Sequence, residues 1–175
     1  MAPRQLAEVL GLIIDAHHQD SGDVREANTF LIPVDFREEF APDLAEVAGE
    51  LGLAPEDVIR VFTGSSLRIS LLAAAMAPMM DGVDFPAPVS RCALPRTNVP
   101  AGSIMVAGNN AIIQPFPGPS GWKVIGRTPL RICDIAEQPA ITYAAGDSVS
   151  FTAIGPLQWA RYEGRFLRPV KGETP

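Results

Sequence analysis

The segment from Leu94 to Leu130, LPRTNVPAGSIMVAGNNAIIQPFPGPSGWKVIGRTPL, most constrains what this chain can fold into. Its short apolar runs, Ile104 to Ala107, Ala111 to Ile113 and Trp122 to Ile125, are separated by Gly, Pro and Asn. That is the pattern of closely connected β-strands. Glycine reaches positive φ and proline fixes φ near −65°, so most of the bends are written into the covalent chain. A helix of ordinary length does not fit here. The expected fold class is mainly β with short helices.

The same segment carries a resemblance. Val99-Pro-Ala-Gly-Ser103, Ala107-Gly108 and above all Ser120-Gly-Trp-Lys-Val-Ile-Gly-Arg-Thr-Pro-Leu130 resemble the family that includes the B subunit of 5-oxoprolinase, the kinase inhibitor KipI and allophanate hydrolase subunit 1. Urea carboxylase contains a similar domain. The likeness extends through Ile32-Pro-Val34, Phe40-Ala-Pro-Asp-Leu44, Val47-Ala48, Leu53 to Ile59 and Gly146-Asp147-x-Val-x-Phe151, roughly residues 30 to 155. It implies a cyclophilin-like β-barrel. Family members of the 5-oxoprolinase type carry a further domain before this point, of which the chain is read as keeping the last helix.

Gln5 to Ala16 sets Leu6, Val9, Leu10, Ile13 and Ile14 on one helical face. His17 and His18 follow, pointing too far apart on a helix to share one metal. Residues 1–28 thus read as an N-terminal helix and polar loop, 29–155 as the barrel, and 156–175 as a C-terminal helix and tail. Within the barrel, Thr29 to Val34, Leu67 to Leu72 and Ser148 to Ile154 read as strands. Asp43 to Gly52 reads as a helix capped by Asp43 and ended by Gly52. Pro55, Glu56 and Asp57 open another short helix, with the two acids complementing its dipole. Lys123 alternates with strand residues and is expected to be solvated. Trp159 and Tyr162 share a face of a helix from Pro156 to Gly164 and are expected to close the barrel's end. Arg165 to Pro175 reads as a mobile polar terminus.

The chain departs from the resembling family where that family's ligand-facing segments align. A Gly-Phe-x-Pro-Gly-Phe-type loop is replaced by Ala73 to Met80, the family's Gln, Thr and Tyr align with Asn110, Ala111 and Gln114, and a family Gly aligns with Met105. All methionines except the initiator, Met76, Met79, Met80 and Met105, fall in these segments. Methionine moulds to irregular apolar shapes. The inference is an apolar pocket lined by Met76, Met79, Met80, Met105, Ile112 and Arg127. Asn110, Gln114 and Arg96 are its candidate catalytic groups. The bland alternatives are a repacked core for the methionines and a turn-fixing role for Arg127 and Thr128.

A net charge of −6 argues against nucleic acid or an anionic membrane as partner. Cys92 and Cys133 lie far apart without a neighbouring ligand residue, fit no metal spacing and read as reduced thiols. No nucleophile elbow, phosphate loop or dinucleotide fingerprint is present, so no cofactor or metal is expected. No apolar run approaches the ~18 residues of a membrane span, and a cytoplasmic location is expected.

Three functions stay open. The first is a free-standing cyclase or isomerase that folds a hydrophobic, polyketide-like substrate into a reactive shape, acting alone or as a homodimer. The second, implied by the resemblance, is an accessory subunit of an ATP-dependent 5-oxoprolinase or allophanate-type amide hydrolase with a related partner subunit. The third is a non-catalytic, KipI-like binding or inhibitory protein.

Overall fold

The computed structural model describes residues 25–170; the helix expected at Gln5 to Ala16 and the His17-His18 pair lie outside them. The strands are β1 (Thr29–Val34), β2 (Leu67–Leu72), β3 (Pro78–Asp81), β4 (Arg96–Val99), β5 (Ser103–Ala107), β6 (Asn110–Ile113), β7 (Gly118–Ser120), β8 (Lys123–Arg127) and β9 (Ser148–Ala153). The helices are α1 (Leu44–Leu51), α2 (Pro55–Gly64) and α3 (Pro156–Tyr162).

Seven strands hydrogen-bond in the order β1-β9-β2-β3-β6-β5-β8, with β1 and β9 parallel and the other neighbours antiparallel. The two ends of this order meet at Asp35 and Arg127. There each backbone N–H donates to the other residue's carbonyl, at 2.9 and 3.0 Å. The sheet is therefore a nearly closed, cyclophilin-like barrel, as the resemblance implies. Gly126 makes the closure feasible, because a Cβ there would lie 2.6 Å from Val34 Cγ1 and 3.1 Å from Phe36 Cδ1.

Strand alternation sends Phe30, Ile32, Ile69, Ile104, Ile113, Ile125 and Phe151 inward, where Phe62 of α2 stacks on Phe151 at 4.7 Å between ring centroids. The interior is close-packed. A void of about 10 Å³ beside Phe30 and Tyr143 holds at most a single water. That void has no room for an apolar guest.

Outside the wall, β4 and β7 form a two-stranded ribbon whose Val99 packs with the outward-facing Met105 and Val124 in a second, smaller apolar cluster. This explains why every residue of β5 is buried: Ile104 and Val106 fill the barrel while Met105 is covered from outside.

Three sequence expectations are corrected here. Lys123 is not solvated; it is about 1% exposed and its ammonium pairs with Glu46 at 2.9 Å and with Glu50, both on α1. Burial opposes its charge, yet the hydrogen bonds it donates to Glu50 and Glu46 hold its pKa above the ordinary lysine value. Asp43 precedes α1 without capping it by its side chain. Instead its buried carboxylate receives a two-pronged contact from Arg96, at 2.5 and 2.7 Å, and the Val124 N–H at 2.7 Å. Thirdly, the tail is tied in as far as Val170: Leu167 is buried, Phe166 bridges Arg131, and the Val170 N–H donates to Thr29 O at 2.8 Å.

The Lys123 pairing predicts an acid dependence. The hydrogen bond from Lys123, then that from Ser90, holds the Glu50 carboxyl down to about 2 from an ordinary 4.5. A carboxyl with a depressed folded pKa stabilises the fold above its unfolded pKa, and this contribution is lost as pH falls toward the folded value. Wild type should therefore lose more stability than Glu50→Gln between about pH 5 and pH 2. Urea midpoints across that range check this; parallel curves for the two proteins would show that the pairing contributes nothing.

Candidate functional site

A cleft of about 540 Å³ lies on the outer face of the barrel wall. Its floor is Met105 of β5 and Ile112 of β6, directly opposed across the antiparallel pair. Trp122 forms one flank, and the loop from Gln114 to Gly121 forms another. In that loop Pro115, Pro117 and Pro119 each fix φ, so its shape is set before any ligand arrives.

The facing rim is Ala73 to Ala77. Ala75 and Met76 hold φ of 56° and 64° there, a left-handed conformation that costs a non-glycine residue on the order of 1–2 kcal/mol each. Two bonds maintain it: Ala73 N–H to Ala77 O at 2.8 Å, and the Tyr143 hydroxyl to Met76 O at 2.9 Å. Burial pushes the Tyr143 phenol above its usual pKa, so it stays a donor at neutral pH.

Three polar side chains reach the cleft. The Gln114 side-chain N–H donates to Phe116 O at 2.9 Å, which leaves its amide oxygen available. Ser120 Oγ accepts from Trp122 N–H at 3.1 Å, which leaves its hydroxyl proton available. Arg91 has no acidic partner among the described residues. These groups donate, accept and orient. Among the described residues no cluster of His, Cys, Asp and Glu could hold a metal ion.

The residues singled out from the sequence divide between this cleft and other places. Gln114, Met105 and Ile112 line it together. Asn110 stands at the opposite end of β6, about 13 Å along the strand from Gln114. Met80 points into the barrel interior and is fully buried, because the period of two turns it inward while Met79 faces out. Met76 is half exposed on the rim turn, and its carbonyl is the part held by Tyr143. Arg96 is engaged by Asp43 below a separate small depression, which it shares with Arg127. The Arg127 Nε–H donates to Ala101 O at 3.0 Å and its guanidinium lies 5.8 Å from the Phe40 ring centroid. Trp159 stacks on that same ring at 4.6 Å. Cys92 and Cys133 are both free thiols.

Sequence reasoning missed Arg91. Its sequence signal was a local one: no Asp or Glu stands between Phe85 and Cys133 to pair with it.

Comparison with known proteins shows the family. Over residues 1–143 the chain matches the family described as carboxyltransferase domain, subdomain C and D. It is 36% identical over 133 residues to the 5-oxoprolinase B subunit of Bacillus subtilis (strain 168), covering 75% of this chain and 55% of that protein. To the same subunit from Haemophilus influenzae it is 33% identical over 125 residues, covering 71% of this chain and 59% of that protein. The chain thus spans somewhat over half the length of these relatives. A conserved uncharacterized protein from Pyrococcus horikoshii is similar with a TM-score of 0.72 at 33% identity, covering 75% of this chain and 62% of that one. The K. lactis urea amidolyase shares the fold, with a TM-score of 0.65 at 14% identity over 93% of this chain and 12% of that one. No helix among the described residues is long and apolar enough to cross a membrane.

Proposed function

The chain belongs to the carboxyltransferase-domain family of subdomains C and D, and from that premise we propose that it is a subunit of an ATP-dependent amide or lactam hydrolase of the 5-oxoprolinase class, working with a related partner subunit. The observation that carries this reading is the 32–36% identity to the 5-oxoprolinase B subunits of three bacteria, spread over 71–75% of the chain. The cleft supports it. Gln114 offers an amide face, Ser120 and Arg91 offer donors, and the proline-fixed loop offers a rigid wall, a set suited to binding and orienting a small polar amide.

The filled barrel interior counts against cyclisation of a hydrophobic intermediate inside it. The comparisons likewise favour the hydrolase-subunit reading over a free-standing cyclase.

The test is reconstitution. Co-expressed with a carboxyltransferase-type partner subunit, the chain should co-purify with it and support ADP release that depends on 5-oxoproline, with allophanate as the second substrate to try. A complex that forms and releases ADP with neither amide, or a chain that never associates with the partner, would overturn the assignment.

A further inference from the structure

We propose that Arg91 is the carboxylate-binding residue of the outer cleft, so that this site takes a small carboxylate carried on a compact ring. The proposal deepens the reading above by naming the ligand group recognised, and takes its first probe from it.

The backbone around Arg91 is held from both sides. On one side, the Ser90 N–H and hydroxyl both donate to the Glu50 carboxylate, at 3.0 and 2.6 Å, and Glu50 is itself fixed by the buried Lys123. On the other, the Cys92 N–H donates to Gly121 O at 2.8 Å. The Arg91 side chain is the one part of this run left without an acidic partner among the described residues.

The guanidinium then crosses Gly121. A Cβ at that position would stand 3.3 Å from an Arg91 Nη and 3.6 Å from its Nε, so the missing side chain makes the space the guanidinium occupies. Gly121 is buried and has no positive φ, so a side chain there would meet the Arg91 guanidinium before it met any backbone constraint. An exposed arginine fork at the edge of a concave wall, free of an acidic partner among the described residues, is suited to two-pronged recognition of a carboxylate. The wall around it, Met105, Ile112, Trp122 and the loop prolines, suits an apolar ring. Gln114 and Ser120 stand on the same wall to read a polar atom on that ring.

The experiment uses the full chain, alone and in complex with the partner subunit, titrated with three probes while Trp122 is followed by its indole resonance. The probes are 5-oxoproline, 2-pyrrolidone (the same lactam without the carboxylate) and cyclopentanecarboxylate (the carboxylate without the lactam). Both carboxylates should bind and 2-pyrrolidone should bind at least about tenfold more weakly. Arg91→Gln should weaken both carboxylates by about tenfold or more and leave 2-pyrrolidone unchanged. Arg91→Lys should restore part of the loss, and Gly121→Val, which displaces the guanidinium without removing it, should mimic Arg91→Gln. Thermal midpoints keep folding separate from binding.

The assignment is overturned if 2-pyrrolidone binds as well as 5-oxoproline, if no carboxylate binds in either form of the protein, or if Arg91→Gln abolishes assembly with the partner while carboxylate binding persists. Carboxylate binding that depends on Arg91, with no amide-dependent ADP release, would sink the hydrolase reading alone. Amide-dependent turnover whose KM ignores Arg91→Gln would sink the carboxylate assignment alone.

Discussion

Asp43→Ala should destabilise the protein by about 3 kcal/mol or more, seen as a large fall in the urea midpoint with an unchanged slope. Asp43 is about 3% exposed and its carboxylate serves three donors: two guanidinium nitrogens of Arg96 and the Val124 N–H. The Asp43 N–H in turn donates to Val124 O at 3.0 Å, so the residue joins the start of α1 to β8 through backbone and side chain together. Removing it leaves a buried backbone donor unsatisfied and an arginine partly withdrawn from water with no counter-charge. Arg96 can still reach solvent, which limits the loss on that side; the orphaned Val124 N–H cannot. Asp43→Asn, which keeps the volume and one acceptor, should cost less. Equal midpoints for wild type and Asp43→Ala would refute the account.

Gly102→Ala is expected to be comparably damaging, at about 3 kcal/mol. Gly102 has φ of +80°, and a Cβ there would lie 2.5 Å from the Thr128 carbonyl oxygen. Two costs add: a left-handed conformation that an L side chain resists, and a collision with backbone that cannot rotate away. Gly102 also donates to Gln114 O at 2.8 Å and accepts from the Thr128 N–H at 2.9 Å, so a shift to relieve the collision would break the joint between the start of β5, the end of β6 and the end of β8. Thermal unfolding measures this directly, and a midpoint within a degree or so of wild type would mean the joint yields more easily than its geometry suggests.

These two residues show where the sequence is legible and where it is not. Gly102 lies in the Val-Pro-Ala-Gly-Ser motif, and the punctuation that marks it also sets β5 and the turns around it. The strands at Thr29–Val34 and Leu67–Leu72 follow from apolar runs in the same way. The short strands Arg96–Val99 and Gly118–Ser120 escape that reading, because their residues are polar or Gly/Pro-rich and pair only by virtue of being laid over the barrel wall. Lys123 misleads for a related reason. Its local alternation resembles a solvated strand position, but the acids that bury it, Glu46 and Glu50, stand more than seventy residues earlier on α1.

The site is less legible than the fold. Gln114, Met105 and Ile112 meet at one wall, whereas Asn110, Arg96 and Met80 are carried elsewhere by strand length, an ion pair and strand parity. Residue type alone could not have separated these. The separation comes from the sheet register, which decides which face each side chain meets and which end of β6 it occupies.

The wall formed by β5 and β6 keeps two jobs on opposite sides of a single layer of backbone. Residues such as Ile104, Ala111 and Ile113 hold the interior, and Met105 and Ile112, their immediate neighbours, floor the outer cleft. Mutational drift or deliberate redesign at Ile112 can therefore alter what the outside accommodates without touching the packing of the barrel interior. In this architecture ligand preference and thermal robustness can evolve on separate alphabets, interleaved one residue apart along the same two strands.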